Sequence, residues 1–290
     1  MIIISLRPGQ LGNSLFLFSH FIAYSLESHA KVIDLAFYDY ADYFTLTSKE
    51  AFPQFPRRKH SRKIPWLRKP VYQFCYFVAR IVDRTKFNNS LVVCIHLKFN
   101  EKFFLHEEKN KKKLNALFVF AQGWLFRCEP YLKKNQDFIR NYFHLVEKHQ
   151  QNVDRVISSA RKDCEVLVGL HIRHGDYASF EGGKYFYSLD QYYSVMLKVS
   201  EVFKGRKIRF LVSSNSKHDY SVFKNIDYCV PTGNEVEDMY ALAKCDFLLG
   251  PPSTYTMWAS FYGNVPLYKI HEIDLPVNEK DFLLPEEWIY

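Results

Sequence analysis

The stretch Val166-Leu167-Val168-Gly169-Leu170-His171-Ile172-Arg173-His174-Gly175-Asp176-Tyr177 decides the fold. It begins as an apolar run of strand length. It ends in charged residues and a glycine that a buried strand end does not need for packing. Strands of a parallel sheet are covered on both faces and read as such continuous runs. In an open α/β sheet, ligands collect just beyond the carboxyl ends of the strands. An arginine at that place suits a phosphate, because its guanidinium grips two oxygens at once. The plain alternative is a surface loop holding an Arg–Asp pair, a risk that every short motif carries.

Around this stretch the C-terminal half alternates regularly. A helix is expected over Leu189 to Phe203, opened by a capping box of Ser188 and Gln191. A strand follows over Ile208 to Val212 and ends in Ser213-Ser214-Asn215-Ser216, then a short helix over 217–224 and a strand over 226–230. Asn234 and Glu237 form a second possible capping pair for a helix through Lys244. Phe247-Leu248-Leu249 reads as a strand broken by Gly250-Pro251-Pro252-Ser253-Thr254, followed by a helix from Thr256 to Tyr262 and a last strand from Val265 to Ile270. This alternation implies a parallel sheet with right-handed crossovers. The N-terminal half is less regular. It suggests strands at Ile2 to Leu6, Lys31 to Phe37, Leu91 to Phe99 and Leu117 to Ala121, and helices over Gly12 to Ser28 and 71–83. Lys109 to Lys113 reads as a basic exposed turn, and Phe138 to Arg161 as a helix bridging the halves.

A chain of 290 residues suggests about two domains, drawn here as 1–155 and 156–290. Its six cysteines are widely spaced with no C-x-x-C pair, which argues against a zinc knuckle and a disulfide scaffold. They read as reduced thiols of a cytoplasmic protein. Met1 to Leu6 is too short for a signal-peptide core, and no apolar stretch reaches the roughly 20 residues of a membrane span. The net charge of +8 is concentrated. Residues 51–82 hold eight Lys or Arg and no Asp or Glu, so the remaining 31 basic residues (39 less eight) balance the 31 acidic ones. The basic segment Arg57 to Lys69 beside an aromatic apolar run suits the surface of an anionic membrane. A solvated loop before a packed helix is the bland alternative. Nucleic acid would use the same charge, but no recognised nucleic-acid motif accompanies it.

Two further segments carry chemistry. Pro8-Gly9-Gln10-Leu11-Gly12-Asn13-Ser14 joins the first strand to its helix, where glycines allow close backbone approach and a helix N-terminus favours an anion. It lacks the Gly-Lys-Ser/Thr ending of a P-loop, and a tight strand-to-helix turn explains it equally well. Ser253, Thr254 and Thr256 follow a strand and enter a helix, where hydroxyls and free N–H groups could hold a diphosphate or simply cap the helix. There is no D-x-D, H-E-x-x-H or G-x-S-x-G element.

In their order along the chain these segments resemble the bacterial α-1,2-fucosyltransferases. That family opens on a G-G-L-G-N-Q-type loop, matched by Gly9 to Phe16. Its H-x-R-R-G-D-Y-type motif is matched by His171 to Tyr177, and its late N-S-S-F-S-W-W-G-A-W-type element is similar to Pro252 to Phe261. A middle G-Y-x-Q-S-x-x-Y-F-type element is echoed by Gly123 to Tyr131. The departures are His174 for the second arginine, Ser213-Ser214-Asn215 for an S-D-D-type strand end, Ser14 for a glutamine, and Met257-Trp258 for a tryptophan pair.

The resemblance implies two facing Rossmann-like domains of the GT-B type: an acceptor-side N-terminal domain and a nucleotide-sugar-binding C-terminal one. It implies an inverting, metal-independent glycosyltransferase without a cofactor, with GDP-fucose as donor. The acceptor would be a galactose-type hydroxyl of a surface glycan such as O-antigen or capsule. The enzyme would sit in the cytoplasm, peripheral at the inner membrane face, with no nucleic acid as partner. Arg173 would stabilise the β-phosphate, with Ser253, Thr254, Thr256 and Ser214 on the donor and His171 placing the nucleotide. Gly12 and Asn13 would close over the phosphates from the other half. Asp176, His174 and Glu181 are candidates for the general base. The departures leave open another nucleotide sugar, or a donor-binding or membrane-docking protein that has lost catalysis.

Overall fold

The structure, a computed structural model, describes residues 1–58, 62–86 and 88–288. Two compact units divide the chain between Glu147 and Lys148. The division falls at the start of a helix, where the sequence reading drew it inside that helix at 155/156.

The first unit contains strands β1 (Ile2–Ile4), β2 (Val32–Asp34), β3 (Gln54–Phe55), β4 (Val92–His96), β5 (Phe103–Phe104), β6 (Phe118–Gln122) and β7 (Phe126–Arg127). Its helices are α1 (Leu11–Ser28), α2 (Pro65–Thr85), α3 (Glu108–Leu114), α4 (Glu129–Lys134) and α5 (Gln136–Tyr142). Five strands form a sheet in the order β3-β2-β1-β6-β4, parallel except for β3, while β5 and β7 pair separately. On one face Val71, Cys75, Val78, Ala79 and Val82 of α2 cover Ile3, Cys94 and Phe120. Helix α1 is buried along nearly its whole length, and Phe18 meets Phe37, Tyr142 and Phe143 edge-on or tilted.

The second unit contains α6 (Glu147–Ala160), β8 (Val166–Ile172), α7 (Leu189–Val202), β9 (Ile208–Ser214), β10 (Tyr228–Cys229), α8 (Glu235–Leu242), β11 (Phe247–Gly250), α9 (Thr254–Gly263), β12 (Leu267–Lys269) and α10 (Pro285–Trp288). Its strands run in the order β10-β9-β8-β11-β12, and every pairing is parallel. Strand β8 is buried at all seven positions. Val166, Val168, Leu170 and Ile172 pack with Tyr192, Val195, Met196 and Val199 of α7. Gly169 lies on the opposite side, where Leu242 of α8 and Leu248 leave no room for a side chain.

Three expected elements differ. Residues 217–224 form no helix: 217–220 are irregular and turns follow from 221. The Asp219 side chain accepts from Ser221 N, a local bond that competes with helical pairing. Lys109 to Lys113 lies inside α3, where a Glu108–Lys111 pair supports the helix and lysines face its C-terminal dipole. The long helix over 138–161 is broken, because residues 144–146 turn aside to bond Tyr43 and Thr45.

Candidate functional site

In each unit the chain order along the sheet reverses beside the central strand. From β8 the chain first builds β9 and β10 on one side, then returns to place β11 and β12 on the other. The crevice for a ligand in such a sheet lies at that switch, between the carboxyl ends of β8 and β11. Arg173 follows β8 directly, and the Gly250 to Ser253 turn follows β11.

Arg173 is 7% exposed. Its guanidinium donates to Asp176 Oδ2 at 2.9 Å and lies 5.2 Å from the centre of the Tyr177 ring. Its backbone N–H is fixed by the Tyr192 hydroxyl at 3.2 Å. The Tyr177 hydroxyl donates to Pro252 O at 2.5 Å, tying the Arg173 loop to the turn before α9. Ser253 caps α9 by accepting from Tyr255 N, and the Thr256 hydroxyl donates to Ser253 O. Thr254 stands as the first residue of the helix. The capping and anion-binding readings of this segment are thus compatible: the hydroxyls of Ser253 and Thr256 hold the turn, and the first-turn N–H groups other than that of Tyr255 point out of the helix end.

His171 is 2% exposed, and its ring stacks on Tyr255 with centroids 4.4 Å apart. Among the described residues neither ring nitrogen finds a hydrogen bond of good geometry. Burial, helped by the charge of Arg173, pushes its pKa down to about 3, so the ring is neutral at physiological pH. The Tyr255 hydroxyl reaches Glu235 O at the start of α8, joining two helix N-termini.

His174 is enclosed rather than presented. Its Nε2 lies 2.6 Å from the Tyr187 carbonyl and therefore donates, and the ring is stacked on Phe186 with His218 at its edge. The Asn215 amide accepts from His174 N and donates to His174 O, splicing the ends of β8 and β9. Gly175, at φ +60, would bring a Cβ within 3.2 Å of that amide. Ser214 Oγ lies 2.9 Å from His218 Nε2. Glu181 is exposed at φ +48, the first of three consecutive residues with positive φ. Single-sequence reasoning missed Asn215 as a splice and Tyr255 as a stacking partner; both lay inside quoted motifs, but only contact geometry gives them roles.

In the first unit the switch lies between β1 and β6. Gly12 and Asn13 occupy the first turn of α1, Gly12 buried and Asn13 donating to Pro8 O at 3.0 Å. Arg7 holds the same loop through Asp39 at 2.5 Å and Gly9 O at 3.2 Å. Ser5 beyond β1 and Gln122 at the end of β6 are fully buried, and neither side chain has a hydrogen-bond partner among the described residues. His96, paired in register with Gln122, holds Asp83 Oδ2 at 2.7 Å through Nδ1. The sequence reading singled out none of these last four; a histidine, glutamine or serine ending an apolar strand is the signal it could have used.

The basic segment is partly spent internally. Lys59, His60 and Ser61 lie outside the described residues. Arg68 is buried among Asp42, Ala51 O and Glu50 O; Arg57 pairs with Glu50 and Lys63 with Asp42. Arg68 is therefore a structural residue and not part of an exposed basic face. Among the described residues no group of three or more His, Cys, Asp or Glu is placed to hold a metal ion.

No family model matches the sequence, and no curated protein matches it. Solved structures do match its fold, which is that of the GT-B fucosyltransferases. A mutant of Arabidopsis thaliana FUT1 in complex with GDP superposes with a TM-score of 0.61 at 16% identity, over 95% of this chain and 72% of that one. POFUT1 in complex with GDP-fucose gives 0.56 at 10% identity, over 96% of each chain. Fucosyltransferase NodZ from Bradyrhizobium gives 0.54 at 16% identity, over 95% and 96%.

Proposed function

We propose that this chain is an inverting, metal-independent glycosyltransferase that moves fucose from GDP-fucose to a hydroxyl of a glycan. The observation that carries the reading is Arg173, buried at the switch of the second sheet and oriented by Asp176 and Tyr177. The GDP and GDP-fucose complexes of the fold neighbours support the choice of donor. We assign the linkage as α-1,2 and the acceptor as a galactose-type hydroxyl of a surface polysaccharide. The site of action is the cytoplasmic membrane face.

In the reaction, the bond from the anomeric carbon to the β-phosphate oxygen breaks and GDP leaves with the electron pair. A bond forms from the acceptor oxygen to the opposite face of that carbon. Arg173 and the N–H groups opening α9 meet the charge that develops on the leaving phosphate. Asp176 is a positioning residue for Arg173, and His174 shapes the loop. The acceptor proton then passes to Glu181, exposed in the loop after Arg173.

The test is calorimetry with GDP, GDP-fucose and UDP in EDTA, followed by transfer assays on Glu181→Gln. Selective guanine-nucleotide binding supports the donor; loss of transfer with donor affinity intact identifies the base. Guanine-nucleotide binding without transfer or donor hydrolysis would favour a second reading, a donor-binding protein that has lost catalysis, to which the enclosed His174 ring points.

A further inference from the structure

Helix α2 has two apolar faces, and only one is covered. Val71, Cys75, Val78, Ala79 and Val82 pack on the first unit's sheet. On the other side Trp66, Phe74, Phe77 and Ile81 are 77%, 68%, 63% and 46% exposed. With Pro70, also exposed, they share an arc of roughly 80° at about 100° per residue. A packed surface helix places polar residues there. Folding alone gives no reason for three aromatic rings in a row on the solvent side.

The charge around the stripe identifies what covers it. Lys69 and Arg80 run along one margin, Arg84 closes its C-terminal end and Arg62 precedes the helix. The one acidic residue of α2, Asp83, is held by His96. A second protein copy would have to bring acidic residues to this margin, and a nucleic acid has no use for a continuous apolar stripe beside the charge. Anionic headgroups with acyl chains beneath them satisfy both features at once. No helix among the described residues is long and apolar enough to cross a membrane, so α2 would lie in the plane of the interface.

We propose that the outer face of α2 is a membrane-docking surface, inserting Trp66, Phe74, Phe77 and Ile81 at the headgroup boundary of an anionic bilayer while Arg62, Lys69, Arg80 and Arg84 meet the headgroups. This replaces the basic segment as a whole with a defined helix face. It rests on the transferase reading only for its purpose, which is to bring the site to an acceptor carried on a lipid.

The full-length chain is sedimented with vesicles of phosphatidylcholine alone and of phosphatidylcholine with about a third phosphatidylglycerol. Wild type binds the anionic vesicles, less so as salt rises, and its tryptophan emission shifts to the blue. Phe74→Ser/Phe77→Ser and Arg62→Glu/Lys69→Glu each weaken binding by at least about ten-fold. Trp66→Phe still binds but loses most of the blue shift. Failure of wild type to bind, or binding unchanged in the double variants, overturns the proposal. So does a concentration-dependent dimer in solution that Phe74→Ser/Phe77→Ser dissolves, which would assign the face to a second copy. GDP titrations of the same variants without lipid separate this result from the donor reading: intact donor binding with lost docking concerns α2 alone, and absent donor binding with intact docking overturns only the transferase.

Discussion

At the scale of single residues, two buried groups make opposite use of burial. Arg173 lies buried at the end of a strand with Asp176 and the Tyr177 ring against its guanidinium. A charged hydrogen bond contributes about 1.5–3 kcal/mol, so a two-point grip on a diphosphate is worth roughly 100-fold or more in affinity. Arg173→Ala should therefore weaken GDP binding by about that factor, and Arg173→Lys by about ten-fold, since a lysine keeps charge but loses the fork. Calorimetry on variants with unchanged circular dichroism checks both, and equal affinity in Arg173→Ala would remove Arg173 from the donor site. Asp34 is buried, accepts from the Ala36 and Phe37 N–H groups, and burial pushes its carboxyl from 3.8 up to about 8. The folded chain thus holds a proton that the unfolded chain releases. The sign follows: this contribution to stability is full below about 3.8 and is lost as pH rises towards 8. Asp34→Asn keeps an acceptor for Phe37 N without the titration. Its Tm should exceed wild type by about 5 °C at pH 8 and by less at pH 5. A gap that does not grow with pH between those values would contradict the assignment.

Among the elements, close packing sets the next test. A Cβ on Gly169 would lie 2.5 Å from Leu248 Cδ2 and 2.8 Å from Leu242 Cδ2, both side chains buried. Gly169→Ala should cost about 1–3 kcal/mol, the usual range for overpacking. Gly263→Ala, whose Cβ would fall on the Ala243 carbonyl, should cost more, because backbone yields less than a leucine tip. Urea unfolding ranks the pair, and the reverse order would mean that the α9 end relaxes freely. The same packing explains what the sequence could convey. Strand β8 was legible because a strand buried on both faces is apolar throughout, and α7 because Ser188 and Gln191 form the capping box that their spacing implies. The second capping pair was half legible: Asn234 caps α8, but Glu237 turns to His149, Asn152 and Thr232, partners 85 to 88 residues away in two cases. Strands β3, β5 and β7 are two residues each, below what a period-2 pattern can reveal. The break between α5 and α6 depends on residues 43–45, which no local window contains. In the second unit, the place of Arg173 directly after β8 was readable from residue type and position. His96 with Asp83, the Asn215 splice and the outward stripe of α2 were not, because each is a relation between distant residues or between a helix and what covers it.

For the molecule as a whole, the donor reading makes a prediction for each unit taken by itself. Hydrogen exchange measured with and without saturating GDP reports each segment separately. Amides of residues 171–177 and 253–257 should slow on GDP binding, since the loop after β8 and the first turn of α9 are the proposed grip. If Gly12 and Asn13 contribute, residues 9–14 should slow as well, although they fold in the other unit. Residues 65–85 of α2 should not respond, because the outer face of that helix belongs to docking and not to the donor. A ligand at about 100 times its Kd stabilises the state it binds by about 2.7 kcal/mol, enough for slowing of roughly 100-fold at amides that exchange through unfolding of that unit. The same protection should appear in EDTA, because the positive potential at the site comes from Arg173 and a helix end. Protection that vanishes on chelation would mean that a divalent cation bridges the diphosphate, and the metal-independent mechanism would fall. Protection confined to the second unit would leave the donor site standing and remove Gly12 and Asn13 from it.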